Sequence, residues 1–236
     1  PDVSPLHADL RDLPPALLLQ EESRRYWTEW LEAAGVAGRI APEGPLLGLH
    51  LTVPAAEAGQ GFALADEIID RFGADTLRLY VLFMGPAAED IEWSDRGVEG
   101  QRRFLDRLWR LVGALPEGPL AGRPAPGAVE GDEAAIELMR KTEATIAKVT
   151  ADIGDRFSFH TAISAVQELV NLATKGVAEG SYSGAGGAAA LRHACETAVA
   201  LLFPFAPHAT CEMWEAMGGE ALWRVPWPQA DPDMLE

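Results

Sequence analysis

Three arginines, Arg103, Arg107 and Arg110, recur at i, i+4 and i+7, the spacing that aligns side chains on one face of a helix. A guanidinium presents paired N–H donors that match phosphate oxygens, so such a row can hold a nucleic-acid backbone. Contacts of that kind give affinity without reading sequence. The same row can equally be a solvated face, with Glu99 and Asp106 as its counter-charges. Little else in the chain has the spacing that catalysis needs. The five histidines, His7, His50, His160, His193 and His208, form no His-x-Gly-His pattern, and a lone helical histidine is read as structural. Cys195 and Cys211 stand apart in apolar helical stretches, which predicts free buried thiols rather than a disulfide or a zinc site. No G-x-S-x-G nucleophile elbow occurs. The expectation is therefore no catalytic residue, no metal and no cofactor.

The elements that carry the arginines are helical. Phe104, Leu105, Leu108, Trp109 and Val112 form an apolar stripe from Gly100 onward, which places Trp109 in the core. Before it, ALADEIIDRF ends at Gly73, and Asp75 is expected to cap the helix carrying Leu77, Leu79, Tyr80, Leu82 and Phe83. After it, residues 113–131 are a Gly/Pro linker. Helices are predicted over about 132–155, 158–178 and from the 179–187 turn to Phe203, with a last one from Pro207 to Met217. Long helices joined by short loops indicate an antiparallel bundle. The first sixty residues differ. A short apolar run at Ala16–Leu19, an amphipathic stretch around Trp27 and Trp30, and a candidate strand at Leu47–Val53 sketch a strand–helix–strand piece. The fold class is thus mainly α: a helix bundle preceded by a small α/β remnant of a Rossmann-like domain.

The bulk numbers bound the function. The 236 residues carry a net charge of −17, which opposes generic binding to a polyanion. The charge is unevenly placed, since residues 96–156 hold ten Lys/Arg and ten Asp/Glu and sum to zero. No apolar run approaches the ~20 residues of a membrane span. No signal peptide is visible, so a cytoplasmic location is expected. A chain opening on Pro1 reads as trimmed from something longer.

Five strings in order carry a family resemblance: DEIIDRFGADTLRLY (66–80), WSDRGVEGQRRFLDRLWRLV (93–112), KTEATIAKVTADIGDRFSFHTAISAVQELVN (141–171), LLFPFAPHATCEMWEAMGG (201–219) and VPWPQADPDML (225–235). Together they resemble the C-terminal region of leucyl-tRNA synthetases: the end of the catalytic domain and the helical anticodon-binding-type domain. The resemblance implies a division into a catalytic-domain remnant at 1–61, connecting helices at 62–99, a bundle at 100–219 and an irregular tail at 220–236. It also implies tRNA contacts at Arg102, Arg103, Arg107, Arg110, Lys141, Lys148 and Arg156, with Trp93 and Ser94 in the approach loop. The chain departs from the family in two places. Pro54–Ala58 stand where the family has its lysine-rich catalytic loop, with Glu57 in place of the second lysine. Cations there stabilise charge on the pyrophosphate leaving group, which a carboxylate opposes. His160 stands where the family commonly has Asn, a mild change. A weaker likeness of residues 4–36 to esterase-type α/β-hydrolases is read as convergence of one strand–helix unit.

The expected function is then that of a truncated, degenerate leucyl-tRNA synthetase paralogue. It would bind tRNA, of leucine type by resemblance, without adenylating an amino acid or editing. Its role would be accessory, beside a synthetase or a tRNA-dependent biosynthetic enzyme. The alternatives are an acidic protein-interaction scaffold that has lost RNA binding, and a fragment of a longer ligase.

Overall fold

The computed structural model describes residues 66–85, 94–116 and 118–235. The expected α/β remnant, including Leu47–Val53 and the Pro54–Ala58 loop, lies outside the described residues, as does Trp93. The chain divides into two compact units, one of residues 1–73 and 92–97, the other of 74–91 and 98–236. In the first, helix α1 (Asp66–Phe72) ends at Gly73, whose N–H returns to the Ile69 carbonyl (2.7 Å) at φ 87°. A glycine reaches that conformation without steric cost. In the same unit Ser94 opens the next helix, its Oγ accepting from Gly97 N (3.3 Å).

The second unit is all helical among the described residues. It comprises α2 (Ala74–Phe83), most of α3 (Asp95–Gly113), α4 (Glu133–Gly154), α5 (Phe159–Glu179), α6 (Ala185–Leu202) and α7 (Pro207–Ala216). Links of four or five residues join α4 to α5, α5 to α6 and α6 to α7, which makes successive helices antiparallel neighbours. Helix α4 starts where Asp132 Oδ1 accepts from Ala135 N (3.0 Å). Helix α5 stops at Gly180, in the left-handed region at φ 71°.

Helix α3 begins at Asp95, five residues before the expected Gly100. Its buried face is Val98, Gln101, Phe104, Leu105, Leu108, Leu111 and Val112, a 3-4 repeat that already includes Val98. Trp109 corrects the sequence reading. It is 45% exposed, because Leu108 and Leu111 occupy the seam and Trp109 falls one step round the helix. Leu138, Met139, Thr142, Ile146 and Val149 of α4 meet Ala162, Ile163, Val166, Leu169 and Val170 of α5 in the core.

Helix α6 is buried from His193 to Leu202 without a break. A helix wrapped on all sides must satisfy its polar residues internally. Glu196 does so by accepting from the N–H groups of Ala121 and Gly122 (2.9 and 2.8 Å). This fixes part of the linker, and Arg192 adds bonds to the Pro116 and Pro119 carbonyls. Close approach of linker to helix needs Gly186, where a Cβ would stand 2.5 Å from the Ala128 carbonyl oxygen. Cys195 is buried and Cys211 only partly so, and both are free. Among the described residues no helix is long and apolar enough to cross a membrane.

Candidate nucleic-acid interface

The seven expected RNA contacts lie on α3, on α4 and at the corner after α4. On α3, Arg102 Nε donates to Asp106 Oδ1 (3.0 Å) and Arg110 Nε to the Asp106 carbonyl (3.1 Å). Arg103 lies 3.5 Å from Glu99. Arg107 is half-buried, and its Nε is enclosed with no hydrogen-bond partner among the described residues. On α4, Lys141 Nζ donates to Glu168 of α5 (2.6 Å). Lys148 and Arg156 converge on one buried carboxylate, Asp152 (2.8 and 3.1 Å). The α3 and α4 sets meet through α5: Gln101 of α3 accepts from Gln167 (2.9 Å), and the next residue, Glu168, holds Lys141.

Most of these cations therefore already have a counter-charge. That does not withdraw them from a ligand. Exposed ion pairs contribute about 0–1 kcal/mol, so a phosphate can displace the carboxylate at small cost. Asp152 is different, because it also accepts from Thr161 Oγ1 (2.7 Å) and its backbone carbonyl takes the Ser158 N–H (2.8 Å). Burial alone would raise its carboxyl; hydrogen bonds from Lys148, Thr161 and Arg156, with the Lys148 charge, hold it below the usual carboxylate range. This one group thus fixes the α4–α5 corner.

A further buried carboxylate fixes α4, which presents Lys141 and Lys148, and its partners were not legible in sequence. Glu143 of α4 is fully buried. It accepts from Arg123 Nε and Nη2 (2.8 and 2.7 Å), from Asp231 N (2.9 Å) and from His193 Nε2 of α6 (3.2 Å), which donates because an ionised carboxylate can only accept. Burial pushes its carboxyl up, but the bonds from His193, Arg123 and Asp231 N override this and hold it at about 2. The hydrogen bond to Glu143 in turn raises the Arg123 guanidinium. Linker, tail, α4 and α6 meet at this carboxylate. Trp227 adds a tail bond to Thr150 Oγ1 of α4 (2.8 Å).

Asp75 corrects a second expectation. It does not precede α2 as a cap but lies inside its first turn. Its Oδ2 accepts from Ala209 N in the first turn of α7 (2.6 Å), and its Oδ1 from Arg78 (2.9 Å) with His208 Nδ1 3.2 Å away. Ala206, at the N-cap of α7, has no side chain to do this. Asp75 is a cap supplied from another helix, and His208 belongs to that junction. His160 Nδ1 is enclosed without a partner among the described residues, which also contain no metal-holding group of His, Cys, Asp and Glu.

The class of the domain follows from this bundle and its match to known proteins. Residues 136–236 match the family model described as the anticodon-binding domain of tRNA ligase. The chain is similar in fold to a leucyl-tRNA synthetase of Agrobacterium radiobacter K84, solved in a ternary complex with tRNA and LeuAMS. Identity is 24%, the TM-score is 0.64, and the likeness covers 94% of this chain and 30% of that one. It is also similar to the methionyl-tRNA synthetase of Mycobacterium tuberculosis in its apo form, with 16% identity, a TM-score of 0.52, and coverage of 88% of this chain and 45% of that one. The chain thus spans less than half the length of either synthetase.

Proposed function

We propose that this chain is a tRNA-binding domain of leucyl-tRNA synthetase type that grips the tRNA body through α3 and α4. On this reading it does not adenylate leucine by itself and serves an accessory or tRNA-dependent biosynthetic role in the cytoplasm. The observation that carries the reading is the match of residues 136–236 to the anticodon-binding domains of tRNA ligases. The leucine type rests on the five strings and on the fold shared with the Agrobacterium enzyme. The cations of α3 supply the affinity, and Arg107 stands first among them because its Nε has no internal partner among the described residues.

A second reading is a protein-interaction scaffold without RNA binding. It is favoured by the internal partners of the other six cations. A third, a piece of a longer ligase, is favoured by the 30% share of the synthetase that the chain spans.

A gel shift with a leucine-type tRNA transcript at ~50 and ~200 mM salt separates the first two. Four phosphate contacts predict a loss of about 100-fold over that range. Arg107→Ala is expected to weaken binding about tenfold and to lower the salt slope by about one. No shift at the lower salt refutes tRNA binding and leaves the scaffold. Pyrophosphate exchange with leucine and ATP is expected to stay at background.

A further inference from the structure

The α4–α5 corner displays an aromatic ring for which folding gives no reason. Phe157 has φ 51°, the one non-glycine residue with a positive φ among those described. A side chain with a Cβ is strained there, and glycine would not be. Burial does not offset the strain, because Phe157 is 73% exposed. The corner nonetheless holds it in place. Asp152 ties Lys148, Arg156 and Thr161 around it, and Ser158 N–H closes onto the Asp152 carbonyl. The ring makes a T-shaped contact with Phe159 (6.3 Å, 88°), which makes another with the buried Phe205 (6.0 Å, 68°). Strain kept at an exposed, over-determined position points to a ligand.

We propose that Phe157 is a stacking platform for one unpaired base of a bound RNA, with Arg156 and Lys148 meeting the phosphates beside that base. The proposal rests on the tRNA-binding reading above and names a contact within it. An unpaired nucleotide needs a π-face and a nearby cation, and the corner offers both. Arg156 is largely exposed and Lys148 half so, and the two share the single carboxylate Asp152. A purely apolar protein contact would need no such flank. The exposed Asp155 beside them opposes a phosphate, so its neutralisation is a second handle on the same site.

The test measures binding of a leucine-type tRNA transcript by the full chain and by Phe157→Ala, Phe157→Gly, Phe157→Trp and Asp155→Asn. Alanine and glycine are expected to weaken binding by roughly fivefold to a hundredfold, the loss of one stacked base. Tryptophan should retain affinity, and Asp155→Asn should tighten it. The slope of log K against log salt should not change with Phe157→Ala, since no phosphate contact is removed. Phe157→Gly should melt at or above the parent, which separates lost stacking from lost folding. If the parent binds tRNA and Phe157→Ala binds within twofold of it, the platform is refuted, the ring is assigned to a protein contact, and the tRNA reading stands. If Phe157→Gly binds like the parent, the platform is refuted likewise. If the parent shows no binding at ~50 mM salt, the tRNA reading falls and takes this inference with it.

Discussion

Glu143→Gln tests how the bundle is held, and its size follows from the geometry. The carboxylate has no exposure and accepts four hydrogen bonds from three parts of the chain. Glutamine keeps the shape but removes the charge, and its NH2 group faces donors where an acceptor is needed. A carboxyl held at about 2 rather than its ordinary 4.5 contributes about 3 kcal/mol to stability at neutral pH. Loss of a buried charge partner costs 3–5 kcal/mol in general, and Arg123 is partly exposed and can rehydrate, so the lower end applies. At ~2–4 °C per kcal/mol for a unit of this size, Tm should fall by about 6–12 °C. The sign with pH is fixed. A depressed carboxyl stabilises the fold above its unfolded value and stops doing so as pH falls towards the folded one. The gap in Tm between parent and variant should thus be full at pH 7 and close between about pH 4.5 and 2. Thermal unfolding followed by circular dichroism across that range measures it. A gap under a degree at pH 7, or one that persists undiminished at the acid end, refutes the assignment.

Asp75→Ala removes the cap that α2 lends to α7 and should cost about 1–2 kcal/mol, read as a shifted urea midpoint. Amide exchange should speed up most at Ala209, whose N–H loses its acceptor. Burial pushes the Cys195 thiol up to about 12, with Glu196 adding to it, so this thiol should resist a thiol reagent at pH 8 until the protein unfolds. Cys211 is also raised by burial but partly exposed, and it should react first; two fast thiols in the folded protein would contradict this packing.

Helix identity and the apolar seams were written in the sequence, because a 3.6-residue period is a local property of the chain. Gly73 as a stop and Pro207 as a start could be read the same way. The row of arginines was legible as a row. Whether each was already paired was not, since Glu99, Asp106 and solvent compete for the same groups. Trp109 was misplaced because it adjoins the seam by one step, and only packed neighbours decide which side of the boundary is covered.

What tertiary structure alone decided is the purpose of the buried acids. Asp75 meets Ala209 across 134 positions, Glu143 meets His193 across 50 and Asp231 across 88, and Glu196 meets Ala121 across 75. No local pattern encodes partners so distant, and the low dielectric that makes them strong exists only once the helices have packed. The sign of φ at Phe157 belongs to the same class: it is set by the corner that Asp152 closes, not by the residues on either side.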